Sequence, residues 1–334
     1  MIEQSPIPLY LVREQPSVVR RLDRQRELVR VRAGVYVRAA EWMPLPPWTR
    51  YLVRVHAVAR TWSAPTFCLE SAAALRGLPV FGEPLDVHLL AAGMHAGREG
   101  DVVVHASRQP RAVQVFEGLG VTSVVDTALD LCRVLPPAFA LAVADAAVRT
   151  TGALLDFGAL GRSQVSRRGV RQLDWVGDRA TTRAESVGES VSRAVIEWLG
   201  YEHPELQVEF SAEGFTDRVD FFWRSGRVIG ESDGYGKYDA SDVEASRAKL
   251  IAEKRREDRL RRQVKGFGRW DWADTMRVAP LDRKLAGAGL RRVRPVQAAM
   301  LATIGTNARS LPASRITGSA ANPGTMPGIS TRIR

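Results

Sequence analysis

Two stretches with β-strand character surround an Arg-Ser-Gly turn within residues 218–233, and together they predict a β-hairpin. If the turn is centred near its serine, Asp220 lies almost opposite Gly230 and next to Glu231 on the neighbouring strand. Asp233 shares the face of Glu231 because side chains alternate along a strand. The pattern therefore predicts two or three carboxylates in one place.

The first 42 residues carry the pattern of a small winged helix-turn-helix. Short amphipathic segments over residues 9–22, interrupted by Pro16, predict two small helices. Residues 28–38 then alternate apolar and basic side chains around an Ala-Gly turn, which predicts a two-stranded wing. The arginines expected to face a DNA duplex are Arg20, Arg21 and Arg24 on the helix and Arg30 and Arg32 on the wing. A basic helix beside a basic wing suits docking on DNA, whereas the plain alternative is a solvated basic helix in a small domain.

The remaining chain divides where its pattern changes. Residues 43–160 alternate helix and strand signals, which predicts an α/β middle domain. Residues 161–183 are polar and Arg-rich, and they are interpreted as a linker with a short helix. A capping-box pattern, Thr182-Arg-Ala-Glu185, opens the first helix of a C-terminal domain that spans residues 184–306. Residues 307–334 are rich in Gly, Pro, Ser and Thr and carry Arg without acids, so we expect a disordered basic tail.

Composition narrows the class of protein. The chain has 334 residues and a formal net charge of +11, which indicates a polyanionic partner such as DNA. Its two cysteines lie in apolar runs, so a disulfide framework or a cysteine-based zinc site is excluded. No apolar run of about 18 residues and no signal-peptide pattern occur. We therefore expect a cytoplasmic protein of two or three domains that has no membrane partner.

The predicted carboxylate cluster suits a divalent cation. Clustered carboxylates repel one another unless a cation lies between them, and oxygen-only ligands are those that Mg²⁺ prefers. Asp220 and Glu231 are the predicted ligands, and Glu189, or as second choice Glu185, adds a third carboxylate from a preceding helix. The alternative is a surface hairpin whose acids are solvated or paired with arginines.

The hairpin resembles the core of PD-(D/E)XK nucleases, and among them the small domains similar to very-short-patch-repair endonucleases. Asp220 matches the first acidic position and Glu231 the second. The resemblance implies a three-layer nuclease fold and Mg²⁺-dependent cleavage of phosphodiester bonds. Asp233 stands where this family has its lysine, whose charge stabilises the transition state. A cation from Lys237, or from Lys254 on the following helix, would have to take over that role.

The N-terminal segment resembles the winged helix of AbiEi-type antitoxins of type IV toxin–antitoxin systems, and the resemblance continues weakly through residues 67–79. It implies a transcriptional repressor whose partners are DNA and a cognate toxin. The whole chain is expected to be an α+β, multidomain protein: a winged helix-turn-helix, an α/β middle domain and a three-layer PD-(D/E)XK-like nuclease fold. The expected function is a DNA-binding regulator of the antitoxin class with a nuclease-like C-terminal domain; the alternative is a Mg²⁺-dependent DNA endonuclease.

Overall fold

The computed structural model describes residues 1–91, 93, 95–233 and 243–311; within residues 243–250, Arg247 alone has its side chain described. These residues form a mixed α+β structure with three separate β-sheets and several helical layers. The expectation of an α+β protein with more than one structural unit is therefore confirmed. Over the same residues, no helix has both the length and the apolarity needed to cross a bilayer.

The N-terminal region is a small antiparallel sheet with the strand order β1-β3-β2 and a nine-residue helix beside it. Its elements are β1 (Tyr10–Leu11), α1 (Pro16–Arg24), β2 (Leu28–Arg32), β3 (Val35–Arg38) and α2 (Ala39–Trp42). The predicted hairpin is confirmed, since β2 and β3 pair antiparallel around Gly34, whose φ of +74° favours glycine.

The prediction of the first of the two N-terminal helices is wrong. Tyr10 pairs with Tyr36 as an edge strand, and the described residues before Pro16 contain no helix. The burial pattern explains this, because Leu11 is buried while Val12 is exposed, which is the alternation of a strand. The helix with the predicted DNA-facing arginines therefore follows a strand, not another helix.

Helix α3 (Pro47–Ala59) joins the small sheet to the middle domain. Val53 and Ala57 on one side pack against the N-terminal sheet. Tyr51, Val55 and Val58 on the other side are buried in the core of the middle domain. The boundary expected between residues 42 and 43 is therefore bridged by a helix that both units share.

The middle domain is built on a six-stranded mixed sheet with the order β6-β7-β5-β4-β9-β8. Its strands are β4 (Thr66–Phe67), β5 (Val87–Leu90), β6 (Gly97–Glu99), β7 (Val102–His105), β8 (Val113–Phe116) and β9 (Leu119–Thr122). Its helices are α4 (Leu69–Leu75), α5 (Val124–Cys132) and α6 (Pro137–Thr151). The alternation of helices and strands predicted for this region is confirmed.

The segment interpreted as a linker is a packed helical region. Helices α7 (Phe157–Ser163) and α8 (Val170–Gly177) lie there. Leu173 and Val176 of α8 are fully buried in the same core as Trp198 of the C-terminal region. Two apolar residues three positions apart are enough to anchor a helix face, although the surrounding sequence is polar.

The C-terminal region contains a four-stranded sheet with the order β10-β11-β12-β13, in which only β12 and β13 run parallel. Its strands are β10 (Glu205–Ala212), β11 (Phe215–Trp223), β12 (Val228–Asp233) and β13 (Gly266–Asp271). Its helices are α9 (Val187–Trp198), α10 (Val243–Arg261), α11 (Trp272–Arg277), α12 (Ala279–Gly287) and α13 (Ala298–Leu301). Helix α9 packs on this sheet and on α6 of the middle domain, through a core that includes Val191, Val195 and Trp198.

The C-terminal residues 307–311 return to the middle domain. The Asn307 side chain donates to the Phe81 carbonyl at 3.2 Å, and the Leu311 amide donates to the Glu83 carbonyl at 2.8 Å. Ser310 forms a β-bridge with Pro84. The start of the segment expected to be disordered is therefore hydrogen-bonded to the fold, and residues 312–334 lie outside the described part.

Candidate functional site

The C-terminal domain contains the predicted hairpin, but its register differs by one residue from the prediction, which placed Asp220 almost opposite Gly230. Strands β11 and β12 pair antiparallel, with Phe221 opposite Gly230. Gly230 has no space for a side chain, because an added Cβ would lie 2.5 Å from Trp270. The amide of Ser232, two residues after Gly230, donates at 2.9 Å to Oδ2 of Asp220, the residue before Phe221. Asp220 therefore lies beside the end of the second strand, as the sequence predicts.

Helix α9 brings a second carboxylate to this place. The Ser186 hydroxyl caps the helix by accepting from the Glu189 amide at 3.1 Å. The helix consequently begins four residues later than predicted, since its cap is Ser186 and not Thr182. Glu189, which is buried, accepts from the Gln207 side chain at 2.9 Å. Glu185 lies outside the helix, and its exposed carboxylate pairs with Arg218 at 2.6 Å, so Glu189 is the acid that faces the site.

The Asp220 carboxyl is electrostatically strained. Burial, together with the negative charges of Glu189 and Glu231, raises its pKa to about 6. The Ser232 amide and the Arg256 guanidinium act in the opposite direction without cancelling the shift. Asp220, Glu189 and Glu231 are therefore close enough to repel one another.

Arg256 of helix α10 neutralises Glu231. Its Nη2 donates to Glu231 Oε1 at 2.6 Å and its Nη1 donates to Oε2 at 3.1 Å. The same Nη2 also donates to the Arg218 carbonyl at 2.6 Å on the neighbouring strand. Glu231 is 6% exposed, so this is a largely buried, charge-assisted contact of the strong kind. The cation at the acidic site is thus an arginine of the helix.

Neither of the two lysines predicted to supply that cation is seen at the acidic site in the described part of the chain. Lys237 lies outside the described residues. Lys254 is exposed on helix α10, two positions before Arg256 and therefore on another side of the helix. Arg256 could have been identified from its spacing, because it lies one turn before Leu260, which is fully buried against the sheet.

Asp233 is also paired with an arginine. Arg269 Nε donates to both carboxylate oxygens at 2.7 Å, and its other nitrogens contact Glu253 and Glu257 at 3.3 Å. Asp217, near the start of the hairpin, is held by Arg259 at 2.8 and 2.9 Å. Three of the four hairpin acids are therefore in arginine pairs, and Asp220 receives a backbone amide instead.

The donor set fits Mg²⁺ in its chemistry, since Glu189, Asp220 and Glu231 offer only carboxylate oxygens. Their arrangement is less favourable, because Arg256 holds both oxygens of Glu231. Among the described residues, no group of three His, Cys, Asp or Glu side chains has the spacing of a metal site. A metal at this place would have to displace Arg256 from Glu231 to gain all three predicted ligands.

The predicted DNA-facing arginines fall into two groups. Arg20, Arg21 and Arg24 on α1 and Arg30 on β2 are exposed. Arg32 differs, because its Nη1 donates to Asp101 of the middle domain at 2.8 Å and its side chain is only 14% exposed. Arg32 therefore contributes to domain packing, and it is not available to DNA in this structure.

A second polar cluster lies in the middle domain. His88 Nδ1 and His105 Nε2 are 3.0 Å apart, and His88 also contacts Arg309 at 3.2 Å. Arg309 donates to both oxygens of Glu70, one of them at 2.7 Å. Burial lowers the pKa of His88 to about 4, which keeps the imidazole neutral beside the arginine. Local sequence patterns could not place Arg309 in this cluster, since it is more than 200 residues from its partners.

The fold and the site together define a class: a mixed α+β protein of several sheets with an arginine-paired acidic hairpin. No protein-family profile and no solved structure matches the chain. Two uncharacterised proteins of Mycobacterium tuberculosis, from strains CDC 1551 / Oshkosh and ATCC 25618 / H37Rv, are each 31% identical over 203 residues. The match covers 60% of this chain and 69% of each relative. The chain belongs to the same family as these mycobacterial proteins, whose names assign no activity.

Proposed function

We propose that this protein is a DNA-binding transcriptional regulator of the type IV antitoxin class, with a nuclease-like C-terminal domain that serves binding. The observation that carries the proposal is the exposed set of arginines on α1 and β2, namely Arg20, Arg21, Arg24 and Arg30. They lie on a helix and on the adjacent hairpin, as in winged-helix proteins that contact the DNA backbone and a groove. The net charge of +11 favours the same polyanionic partner.

The C-terminal acids support a binding role more than cleavage. Glu231 and Asp233, the second acidic position and the position of the family's lysine, are both held by arginines. A nuclease needs a cation that stabilises the phosphate in the transition state. Arg256 is instead engaged by Glu231, Glu253 and the Arg218 carbonyl. The resemblance to antitoxins adds a cognate toxin as the expected protein partner.

The DNA-binding proposal is tested by salt dependence with two matched triple variants. Replacing Arg20, Arg21 and Arg24 with Ala removes three charges from α1. Replacing Arg167, Arg168 and Arg171, which are exposed in and near α8, removes the same charge elsewhere. Binding to duplex DNA from the region upstream of its own gene is measured by fluorescence anisotropy at several salt concentrations. The α1 variant is expected to flatten the log–log salt slope by about 3 units if each arginine meets one phosphate.

The control triple variant is expected to change the slope by less than half as much. Equal slopes for the two variants would show that only net charge matters, and the proposed role of α1 would be wrong. No binding by the wild type at low salt would contradict the whole proposal.

A Mg²⁺-dependent endonuclease is the second candidate function. The observation that favours it is the electrostatic environment of Asp220. Its carboxyl is partly buried beside Glu189 and Glu231, whose charges raise its pKa, and a divalent cation would relieve that repulsion. Glu189 and Asp220 would hold Mg²⁺, with Glu231 joining them when Arg256 turns away. A bound Mg²⁺ would supply polarisation of the scissile phosphate.

Nicking of supercoiled plasmid in Mg²⁺ or Mn²⁺ tests this second candidate. A nuclease is expected to lose its activity in Asp220→Asn and to keep it in Glu205→Gln, an acid that pairs with Arg224 at the surface. Lys237→Ala and Lys254→Ala test the cations expected from the sequence. Absence of cleavage on duplex, single-stranded and mismatched substrates would leave the binding role as the function of this domain.

A further inference from the structure

A large cavity lies between the middle and C-terminal domains. Its volume is about 1490 Å³, which exceeds the roughly 300–1,000 Å³ typical of small-molecule sites. Its walls come from the start of α3, the loop after α4, the N-terminus of α9, the end of β12, helix α11 and residues 304–311. Ligand sites often occur at such domain boundaries, and the acidic hairpin borders this one.

A row of aromatic rings forms one wall of the cavity. Phe81 and Phe139 are stacked with ring centroids 4.0 Å apart and planes 5° apart. Phe139 and Trp272 continue the stack at 6.3 Å and 17°. All three residues line the cavity, and Trp272 is partly exposed. Flat aromatic molecules pack well against rings in such parallel order.

The charge of the lining is opposite to that of the protein. The described residues that line the cavity include no Lys, Arg or His, and their charged members are Glu3 and Asp233. This is notable in a chain with a net charge of +11. Phosphates, carboxylates and other anions would meet apolar walls and carboxylates there, whereas a cation would be attracted.

We propose that this cavity binds a planar aromatic cation, such as a quaternised nitrogen heterocycle. Asp233 ends β12 beside Asp271 of β13, and Trp272 follows directly in sequence. A cation near Trp272 would thus meet both the ring face and the Asp233 carboxylate. Aromatic faces with a carboxylate recognise ammonium ligands by cation–π and charge attraction. Arg269 donates to both oxygens of that carboxylate and also contacts Glu253 and Glu257, so the local charge stays negative, and the Asp233 side chain keeps 40% of its surface exposed.

The site does not depend on the proposed DNA binding, and DNA-free protein suffices to test it. Three fluorescent probes of similar size and different charge are titrated into the full chain: ethidium (cationic), N-phenylnaphthylamine (neutral) and anilinonaphthalene sulfonate (anionic). Ethidium is expected to bind about ten-fold more tightly than the anionic probe, a factor that corresponds to one favourable charge contact. Equal affinities of the cationic and anionic probes would overturn the proposal.

Two variants locate the binding. Asp233→Asn is expected to weaken ethidium about five- to ten-fold and to leave the neutral probe unchanged. Glu205→Gln is the matched control, because it also removes a carboxylate from an exposed arginine pair but at a residue outside the cavity. It is expected to change the affinity of neither probe. Ala308→Trp fills the cavity from an exposed lining position and is expected to weaken both probes. Ethidium binding that survives Ala308→Trp, or that falls equally in Glu205→Gln, would place the cation elsewhere and refute the site.

Discussion

At the scale of single residues, the acids of the hairpin differ in how their charge is compensated. Glu231 accepts two hydrogen bonds from Arg256, whereas Asp220 accepts one from the Ser232 amide. Among the four described hairpin acids, Asp220 is thus the one that accepts no arginine hydrogen bond, and the pKa of its carboxyl is raised to about 6. This difference has measurable consequences for stability.

We expect Asp220→Asn to stabilise the metal-free protein near pH 8. A folded-state pKa above the ordinary value of 3.8 means that Asp220 contributes stability below pH 3.8 and loses it as the pH rises through about 6. Asparagine keeps the acceptor for the Ser232 amide and removes the charge. The gain should be about 1–2 kcal/mol at pH 8, less than the full shift implies because the group is partly exposed.

Urea unfolding of wild type and variant at pH 5 and pH 8 measures this gain, which should shrink at the lower pH because wild-type Asp220 is then largely protonated. A gain of the same size at both pH values would mean that the charge of Asp220 is not the cause. If Mg²⁺ binds at the site, it should raise the Tm of the wild type and leave that of the variant unchanged.

We expect Arg256→Ala to be strongly destabilising. It would leave Glu231 buried without its partner, a change that typically costs about 3–5 kcal/mol. Arg255→Ala is the matched control, since Arg255 is the exposed neighbour on the same helix, and its effect should stay within about 0.5 kcal/mol. Chemical denaturation measures both. Similar, small effects of the two substitutions would show that the Arg256–Glu231 pair does not hold α10 on the sheet.

At the scale of elements, the start of α9 decides which glutamate faces the site. The sequence offers two capping patterns, Thr182 to Glu185 and Ser186 to Glu189, and local chemistry alone does not choose between them. In the structure Ser186 accepts from the Glu189 amide, and Gly188 lies close to the Ser232 side chain, with an added Cβ only 3.0 Å away. Contact with β12 therefore fixes the later start.

The two possible caps are distinguished by two alanine substitutions. Ser186→Ala is expected to lower the free energy of unfolding by about 1 kcal/mol, as loss of an N-cap does. Thr182→Ala is expected to change it by less than about 0.5 kcal/mol, because Thr182 is exposed. Thermal and urea unfolding provide the comparison. A larger loss for Thr182→Ala would mean that the helix begins where the sequence first indicated.

At the scale of the whole molecule, residues 307–311 connect the end of the C-terminal region to the middle domain. Arg309 contributes to this connection through its ion pair with the buried Glu70. Burial opposes the charge of Glu70, but the Arg309 contacts outweigh it and lower the pKa of that carboxyl. The connection also forms one wall of the cavity between the domains.

We expect Arg309→Ala to release this connection. Glu70 would remain buried beside the neutral His88 without a cation, at a cost of about 3–5 kcal/mol. Hydrogen exchange should increase at the Leu85 and Leu311 amides, which bond across the connection. Arg291→Ala removes the same charge from an exposed position and should leave these amides protected. Unchanged exchange in Arg309→Ala would show that the backbone bonds hold residues 307–311 without it.

Local patterns in the sequence were sufficient for the hairpins and most helices, because turn chemistry and periodicity act between neighbouring residues. The register of the acidic hairpin differs by one residue from the prediction, because residues 224–227 connect the paired Trp223 and Val228. Local patterns could not predict that Glu189, and not Glu185, faces the site, or that α8 packs in the core. Both depend on contacts with parts of the chain that are distant in sequence. The pairing of Arg32 with Asp101, which removes this arginine from the predicted DNA surface, also depends on such a distant contact.

The sequence by itself determined the α+β class, the acidic hairpin and the basic N-terminal helix, since each depends on short-range spacing. The tertiary structure decided which cation meets which acid. Arg256, Arg269 and Arg309 resemble the many other arginines of the chain until folding places them against Glu231, Asp233 and Glu70, of which Glu231 and Glu70 are buried. Charge pairs become strong and selective only where water is excluded, and burial is a property of the assembled fold.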